Sequence, residues 1–214
     1  MNALGLIEVY SFTTAVCVAD IVAKTSDVKI VAFDRNRPIS PDVPAPLVMV
    51  VKFEGNVAAV RAAVDAGVEY AKSEGKYIVS HVIPNPGVDV DKMAYRLDIN
   101  KDKYNKKLPK SFLGVDYPAP TNNNKAIGLL EVSGLVAAIE GADAMLKAAN
   151  VRLIHSEKRL GGRLVTYIIR GKVDAVTAAV DTGEENAKVL GGIYGKAVIA
   201  RPHDEIMKFF DIEE

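Results

Sequence analysis

One seven-residue stretch occurs twice. Ala3-Leu4-Gly5-Leu6-Ile7-Glu8-Val9 returns as Ala126-Ile127-Gly128-Leu129-Leu130-Glu131-Val132, 123 positions later. Each copy is an apolar run of strand type, with a glycine near its start and one glutamate near its end. The residues downstream of the two copies are also similar, so the chain reads as two units of one design. A fold for this chain therefore has to be one small unit built twice.

Taken in order, the two units keep pace. After Val9, Ser11 or Thr13 can cap a helix running to about Thr25. Phe12, Val16, Ala19, Ala23 and Ser26 recur at helical steps and form a narrow face rich in small residues. The aligned face in the second unit is Leu135, Ile139, Ala142, Leu146 and Ala149. Small residues let a helix lie close on a sheet, and this face is expected to pack there. Ala15 and Ala138, Asp20 and Asp143, Lys24 and Lys147, and Val28 and Val151 are identities at the common offset. A second strand is expected over Val28 to Phe33 and over Val151 to His155.

The units then diverge in a loop. The first has Asp34 to Pro46, with four prolines, and the second only Lys158 to Arg163, so the offset has fallen to 116 by Gly55 and Gly171. A third strand resumes the match at Leu47 to Phe53 and Leu164 to Arg170. Gly55 and Gly171 each open a second helix, with Val57, Val60, Val64, Gly67 and Ala71 on one face, and Val173, Val176, Val180, Gly183 and Ala187 on its twin. A fourth strand ends in Ile83-Pro84-Asn85-Pro86 and in Ile199-Ala200-Arg201-Pro202-His203.

Each unit is thus β-α-β-β-α-β. The fold class is α+β, with two tandem ferredoxin-like units, each a four-stranded antiparallel sheet with both helices on one face. The expected division is 1–86, a connector over 87–125, and 126–210. The connector has eight basic and five acidic side chains among 39 residues and is read as extended, with one short helix near Val90 to Leu97. A last helix, His203 to Phe210, is expected to be capped at Asp204.

Composition narrows the function. Lys plus Arg and Asp plus Glu both total 27, for a net charge of zero, which argues against a general nucleic-acid or membrane-surface binder. Tyr10, Tyr70 and Tyr167 lack the interleaved basic residues of an RNA-binding pattern. An apolar share of 49% builds a real core. The single cysteine, Cys17, permits no internal disulfide and fits a reducing cytosol. No secretory signal and no run of membrane-spanning length stands out.

Catalysis finds little support. His81, His155 and His203 lack metal-ligand spacing. Asp65 with Glu69, and Asp181 with Glu185, sit four apart on helices and read as solvated faces. Gly161-Gly162 does not open a helix and is a poor phosphate loop. No catalytic residue, metal site or cofactor is expected.

The Gly-Leu-Leu-Glu-Val opening, the run Ala142-Asp143-Ala144-Met145-Leu146-Lys147-Ala148-Ala149-Asn150-Val151 and the closing Ile199-Ala200-Arg201-Pro202-His203 resemble bacterial microcompartment shell proteins. The likeness covers about four-fifths of the chain and leaves out the connector. Two fused units resemble the tandem-domain class, which forms trimers shaped like pseudo-hexamers. Because each unit begins with its glutamate strand, the unpermuted arrangement fits. The resemblance implies a structural shell tile rather than an enzyme: a homotrimer in the cytoplasm, assembled with other shell proteins, its pore passing small metabolites or cofactors. Sheet edges and apolar flanks on such small units independently want partners.

It further implies that the loop after the second strand lines the pore: Asp34, Arg35, Asn36, Arg37, Pro38, Ile39 and Ser40 in the first unit, and Lys158, Arg159, Leu160, Gly161, Gly162 and Arg163 in the second. With Glu157, the second loop nets about plus two, so three chains would ring the axis with roughly six positive charges and favour anions. Gly161-Gly162 suits a crowded axis. The proline-stiffened first loop departs from the family's short form and could narrow the pore, gate it or pack over its rim. Lys24 and Lys147 match the family's tile-edge lysine and Arg201 its edge arginine, whereas Asn85 breaks that match. Cys17 lies in a helix, so the pore-loop iron–sulfur cluster of some tandem members is not expected. Two other readings stay open: a soluble trimeric sensor of ferredoxin-like fold binding a small anion between subunits, and an enzyme working in the cleft between repeats.

Overall fold

The computed structural model describes residues 2–36, 42–87, 90, 94, 126–157 and 163–210. Both repeats run β-α-β-β-α-β. The first comprises β1 (Ala3–Tyr10), α1 (Phe12–Thr25), β2 (Val28–Asn36), β3 (Val48–Gly55), α2 (Val57–Ser73) and β4 (Tyr77–Ile83). The second comprises β5 (Ala126–Ser133), α3 (Leu135–Ala148), β6 (Val151–Glu157), β7 (Leu164–Gly171), α4 (Val173–Ala187) and β8 (Ile193–Ile199), and then comes α5 (Asp204–Phe210). The sheets have the orders β2-β3-β1-β4 and β6-β7-β5-β8, and every neighbouring pair is antiparallel. The α+β class and the twin ferredoxin-like sheets are as the pattern required.

The motif glycines are closely covered, Gly128 by its helix α4 and Gly5 by the ring of its cross-strand neighbour Phe53. A Cβ on Gly128 would stand 2.5 Å from Val180 Cγ2, and one on Gly5 would stand 2.3 Å from Phe53 Cε2. Gly67 and Gly183 play the matching part on α2 and α4, against Ile7, Val22 and Val18 and against Met145 and Gly141.

The two repeats share a core. One core gathers Ile7, Val9, Val18 and Val22 of the first repeat together with Ile127, Leu129, Leu164, Ile168 and Ile199 of the second. A separate core lies under α3 and α4, with Leu130, Val132, Met145, Val176 and Val180. Side chains alternate across a strand, so Leu130 and Val132 of β5 face their own helices while Ile127 and Leu129 face α1. Helix α1 is consequently sandwiched between the inner face of the first sheet and the outer face of the second, with eleven of its fourteen residues buried.

That arrangement corrects the expectation for α3. Leu135, Ile139 and Leu146, expected on the sheet-packing face, are 54%, 56% and 39% exposed, and the side packed inward is Ala137, Ala138, Gly141, Ala142 and Met145. In α1 the aligned stripe Phe12, Val16, Ala19 and Ala23 is buried because the second repeat covers it. Among the described residues, none covers the twin stripe on α3.

Smaller differences arise from local chemistry. Strand β2 continues through Asp34, Arg35 and Asn36, which pair with Val50, Met49 and Val48, so these three residues are strand rather than loop; β6 likewise extends to Glu157. Val57 and Val173, at the open first turns of α2 and α4, are 38% and 42% exposed. His203 rather than Asp204 caps α5: its carbonyl accepts from Ile206 N at 2.9 Å and its Nδ1 from Glu205 N at 3.2 Å. Val90 and Ala94 are helical, and Ala94 is buried against Leu4, Val31 and Ala32; the rest of the helix expected over 90–97 lies outside the described residues.

Helix α5 closes an edge. β2 is the outer strand of its sheet, and at a break in its register Ile30 donates to Glu205 Oε2 at 2.7 Å while its carbonyl accepts from Lys208 Nζ at 2.9 Å. Phe209 packs edge-on against Phe33, and Phe210 against Phe12 and His155. The backbone groups of Ile30 on this edge are thereby paired within the chain.

Candidate functional site

The glutamate of the repeated motif is the centre of the seam between repeats. Glu131 is fully buried and accepts three hydrogen bonds from the start of α1: Ser11 Oγ at 2.6 Å, Thr13 N at 2.9 Å and Phe12 N at 3.2 Å. A helix N-terminus carries unpaired N–H groups and partial positive charge, so a carboxylate there is doubly favoured. Beside Glu131 in the strand register lies Gly195, where a Cβ would approach Thr13 Cβ to 2.8 Å. The missing side chain is what lets α1 come so close. Two further bonds tie the seam, from Lys76 Nζ to Tyr194 O at 2.7 Å and from His203 N to Asp20 Oδ1 at 2.8 Å. The sequence marks both glutamates as part of a motif but does not disclose this role, because the partners are about 120 positions apart.

The lysines at the shared offset differ in setting. Lys24 bonds to Asp20, which is buried. Lys147 pairs with Asp143 at 2.5 Å on an open surface, its side chain 75% exposed, and the hydrogen bond to Asp143 raises its pKa. Arg201 is exposed, as is Asn85 at the matching site. The structure does not bring Lys24, Lys147 and Arg201 into one cluster of contacts with each other.

Of the expected pore residues, Arg37, Pro38, Ile39, Ser40, Lys158, Arg159, Leu160, Gly161 and Gly162 lie outside the described residues. Asp34 Oδ2 is 3.2 Å from the nearly buried Lys52 Nζ. Arg163 is exposed, with φ 64°, and its carbonyl accepts from Gly134 N at 2.8 Å, tying the loop's end to the start of α3. Ala45 and Leu47 are fully buried, so the proline-bearing end of the first loop packs on the body of the repeat. Glu157 is buried and stands 3.7 Å from His155 Nε2.

Cys17 is buried in α1, and burial pushes its thiol up to about 11. Among the described residues no group of three or more His, Cys, Asp or Glu side chains is placed to hold a metal ion. Asp65, Glu69, Asp181 and Glu185 are exposed, with Asp181 and Glu184 bonded to Lys196. No described helix is long and apolar enough to cross a membrane.

Comparison with known proteins agrees with this architecture. The BMC domain family matches twice, over residues 3–86 and 126–202. The carboxysome assembly protein CcmO of Synechococcus elongatus is 32% identical over 206 residues, which are 96% of this chain and 67% of that protein. The bacterial microcompartment shell protein PduA of Citrobacter freundii is 50% identical over 84 residues, 39% of this chain and 89% of its own length. The shell protein EutM of Salmonella typhimurium is 44% identical over 88 residues, 41% of this chain and 91% of its own. A crystal structure of a microcompartments protein from Desulfitobacterium hafniense aligns with 97% of this chain and 99% of its own, at 23% identity, with a TM-score of 0.39, a superposition too loose to bear on how the repeats are placed. With two matching segments that together span most of the residues, each folded as a complete β-α-β-β-α-β unit, the chain belongs to the BMC-domain family of bacterial microcompartment shell proteins and carries two such domains in tandem.

Proposed function

We propose that the chain is a structural tile of a microcompartment shell, with no catalysis of its own. Three copies close head to tail into a ring of six BMC domains, and the rings lie edge to edge with one another and with other shell proteins. The observation that carries this reading is the bare stripe on α3. Leu135, Val136, Ile139 and Leu146 are exposed, although the same stripe on α1 is covered by the outer face of the second sheet. A unit whose twin is covered within the chain, and which is itself uncovered, calls for another copy. Because the covering is heterologous, repeated pairing closes a ring or runs on as a filament.

In this reading the segments 34–40, which begin with the end of β2, and 158–163 stand about the axis, where Lys158, Arg159 and Arg163 favour small anionic or polar metabolites and cofactors. Lys24, Lys147 and Arg201 lie at the tile edge. Support comes from relatives described as shell or assembly proteins. Light scattering of the purified protein is expected to give three chains per particle, and electron microscopy flat layers or tubes. A protein that stays a single chain at high concentration and forms no layers would overturn the proposal.

A further inference from the structure

The two repeats carry opposite charge at the same end. That end is where the first helix of each repeat stops and its second strand starts. Asp20, Lys24 and Lys29 keep their sign in the second repeat, as Asp143, Lys147 and Arg152. The other charges change: Asp27 becomes Asn150, Glu54 becomes Arg170 and Asn85 becomes Arg201. Over these six twin positions the net charge is minus one on the first repeat and plus three on the second. The strand register fixes the grouping. Lys29 lies opposite Glu54, and Arg152 opposite Arg170. Asn85 and Arg201 stand two residues beyond the ends of β4 and β8, at that same end of each sheet.

In the first repeat Lys24 bonds to the buried Asp20, and Lys29 pairs with Glu54 at 3.6 Å. Asp27 is exposed, and its carboxylate has no hydrogen-bond or ion-pair partner among the described residues. In the second repeat Lys147 pairs with Asp143. Arg201 is exposed and likewise has no such partner among the described residues. One end therefore offers a carboxylate and its twin a guanidinium.

These ends face outward in the ring proposed above. Strand β6 runs from Val151 to Glu157 before the segment 158–163. At about 3.3 Å per residue, its start is about 20 Å from that segment. With 158–163 about the axis, the charged ends form the rim, where the two kinds alternate around six positions. Opposite positions on such a rim are always of different kinds. Rings laid side by side in one orientation thus bring unlike ends together at every contact. Like ends cannot all meet, because three mutually touching rings cannot each be turned opposite to the other two.

We propose that neighbouring rings join through unlike ends, Asp27 of one chain facing Arg201 of a chain in the next ring, and that all rings of a layer share one orientation. A single exposed ion pair is worth little. Selection comes from the like-charge contacts that any other arrangement imposes. This pairing rests on the tile reading and adds which edge receives which.

Charge reversal in the full chain tests it. Arg201→Asp and Asp27→Arg, each alone, set like charges against each other. Each is expected to abolish layers in electron micrographs and to leave the ring mass from light scattering unchanged. With both changes in one chain the pairing returns with its signs exchanged, and layers are expected to return with it. Diffraction from layers of the unaltered protein is expected to show one ring per repeating unit. Layers that survive either single change, a double variant that stays as free rings, or two ring orientations in the repeating unit would overturn the pairing while the tile reading stands. If the unaltered protein forms no layers, both fall.

Discussion

Ser11 Oγ donates to Glu131 Oε2 at 2.6 Å across the two repeats. Ser11 holds φ 77°, ψ 136°, a region where a side chain costs on the order of 1–3 kcal/mol; its counterpart, Gly134 at φ 95°, has no such penalty. The bond to a buried carboxylate offsets the strain, so the first repeat tolerates serine where the second uses glycine. Replacing Glu131 with Ala would strand three buried donors at a cost of about 1–3 kcal/mol each when unpaired. Glu131→Ala is expected to lower unfolding free energy by roughly 3 kcal/mol or more, read from urea denaturation. Glu8→Ala, at a partly exposed position on the first sheet, is expected to change it by no more than about 0.5 kcal/mol. Equal losses from the two glutamates would contradict the assignment of Glu131 to the internal seam.

The motif glycine invites a second measurement. Phe53 is fully buried, and its ring edge lies where a Cβ on Gly5 would go. Gly5→Ala therefore overpacks a closed site, with an expected loss of about 1–3 kcal/mol. Adding Phe53→Leu removes the colliding ring edge, so the double variant is expected to lose less than the two single losses added together. Strictly additive losses in a double-mutant cycle would mean that Gly5 is required for another reason.

Particular residues show how far the fold is legible in the sequence. Alternation and the repeat offset place all eight strands and the four helices of the two units, because Gly5, Gly128, Gly55 and Gly171 punctuate them in the same way twice. The packing face of α3 is illegible for a physical reason. Helix α1 is buried on two sides, so its apolar stripe does not say which side faces its own sheet. Copying that stripe onto Leu135, Ile139 and Leu146 carries over the face that meets another repeat. Glu131 and Gly195 are unreadable as a site because their partners lie over a hundred positions away. The strand end at 34–36 is hidden by polar residues that pair through their backbone with Met49 and its neighbours, not through apolar side chains.

Cys17 supplies a prediction about pH. Its thiol ordinarily ionises near 9 and is held to about 11 by burial, so between those values the unfolded chain releases a proton that the folded chain keeps. The thiol's contribution to stability is therefore whole below pH 9 and is lost as pH rises to 11, at up to about 1.4 kcal/mol per unit in that window. Tyr70, raised in the same direction by its own burial, adds to the fall. A Cys17→Ser variant is expected to show a shallower decline between pH 9 and 11 in denaturation midpoints. With a thiol reagent at pH 8, the unaltered protein is expected to react only when urea unfolds it. Rapid labelling of the native protein would show that α1 opens without global unfolding.

Tile formation can be separated from ring formation at Lys147. Its side chain is 75% exposed and, among the described residues, bonded to Asp143 alone, so changing it disturbs no packing within the chain. Lys24, its counterpart, cannot be used in this way, because Asp20 is buried and also holds His203 N; losing Lys24 would leave a buried carboxylate short of its cation and loosen the start of α5. Lys147→Asp is expected to leave the ring mass and the unfolding midpoint nearly unchanged, since exposed ion pairs are worth little. It is also expected to abolish extended layers in electron micrographs, because a second carboxylate beside Asp143 repels whatever acidic or carbonyl-rich edge the lysine meets. Layers that persist in Lys147→Asp would remove this lysine from the tile edge, whereas loss of the ring itself would place Lys147 at the contact between copies.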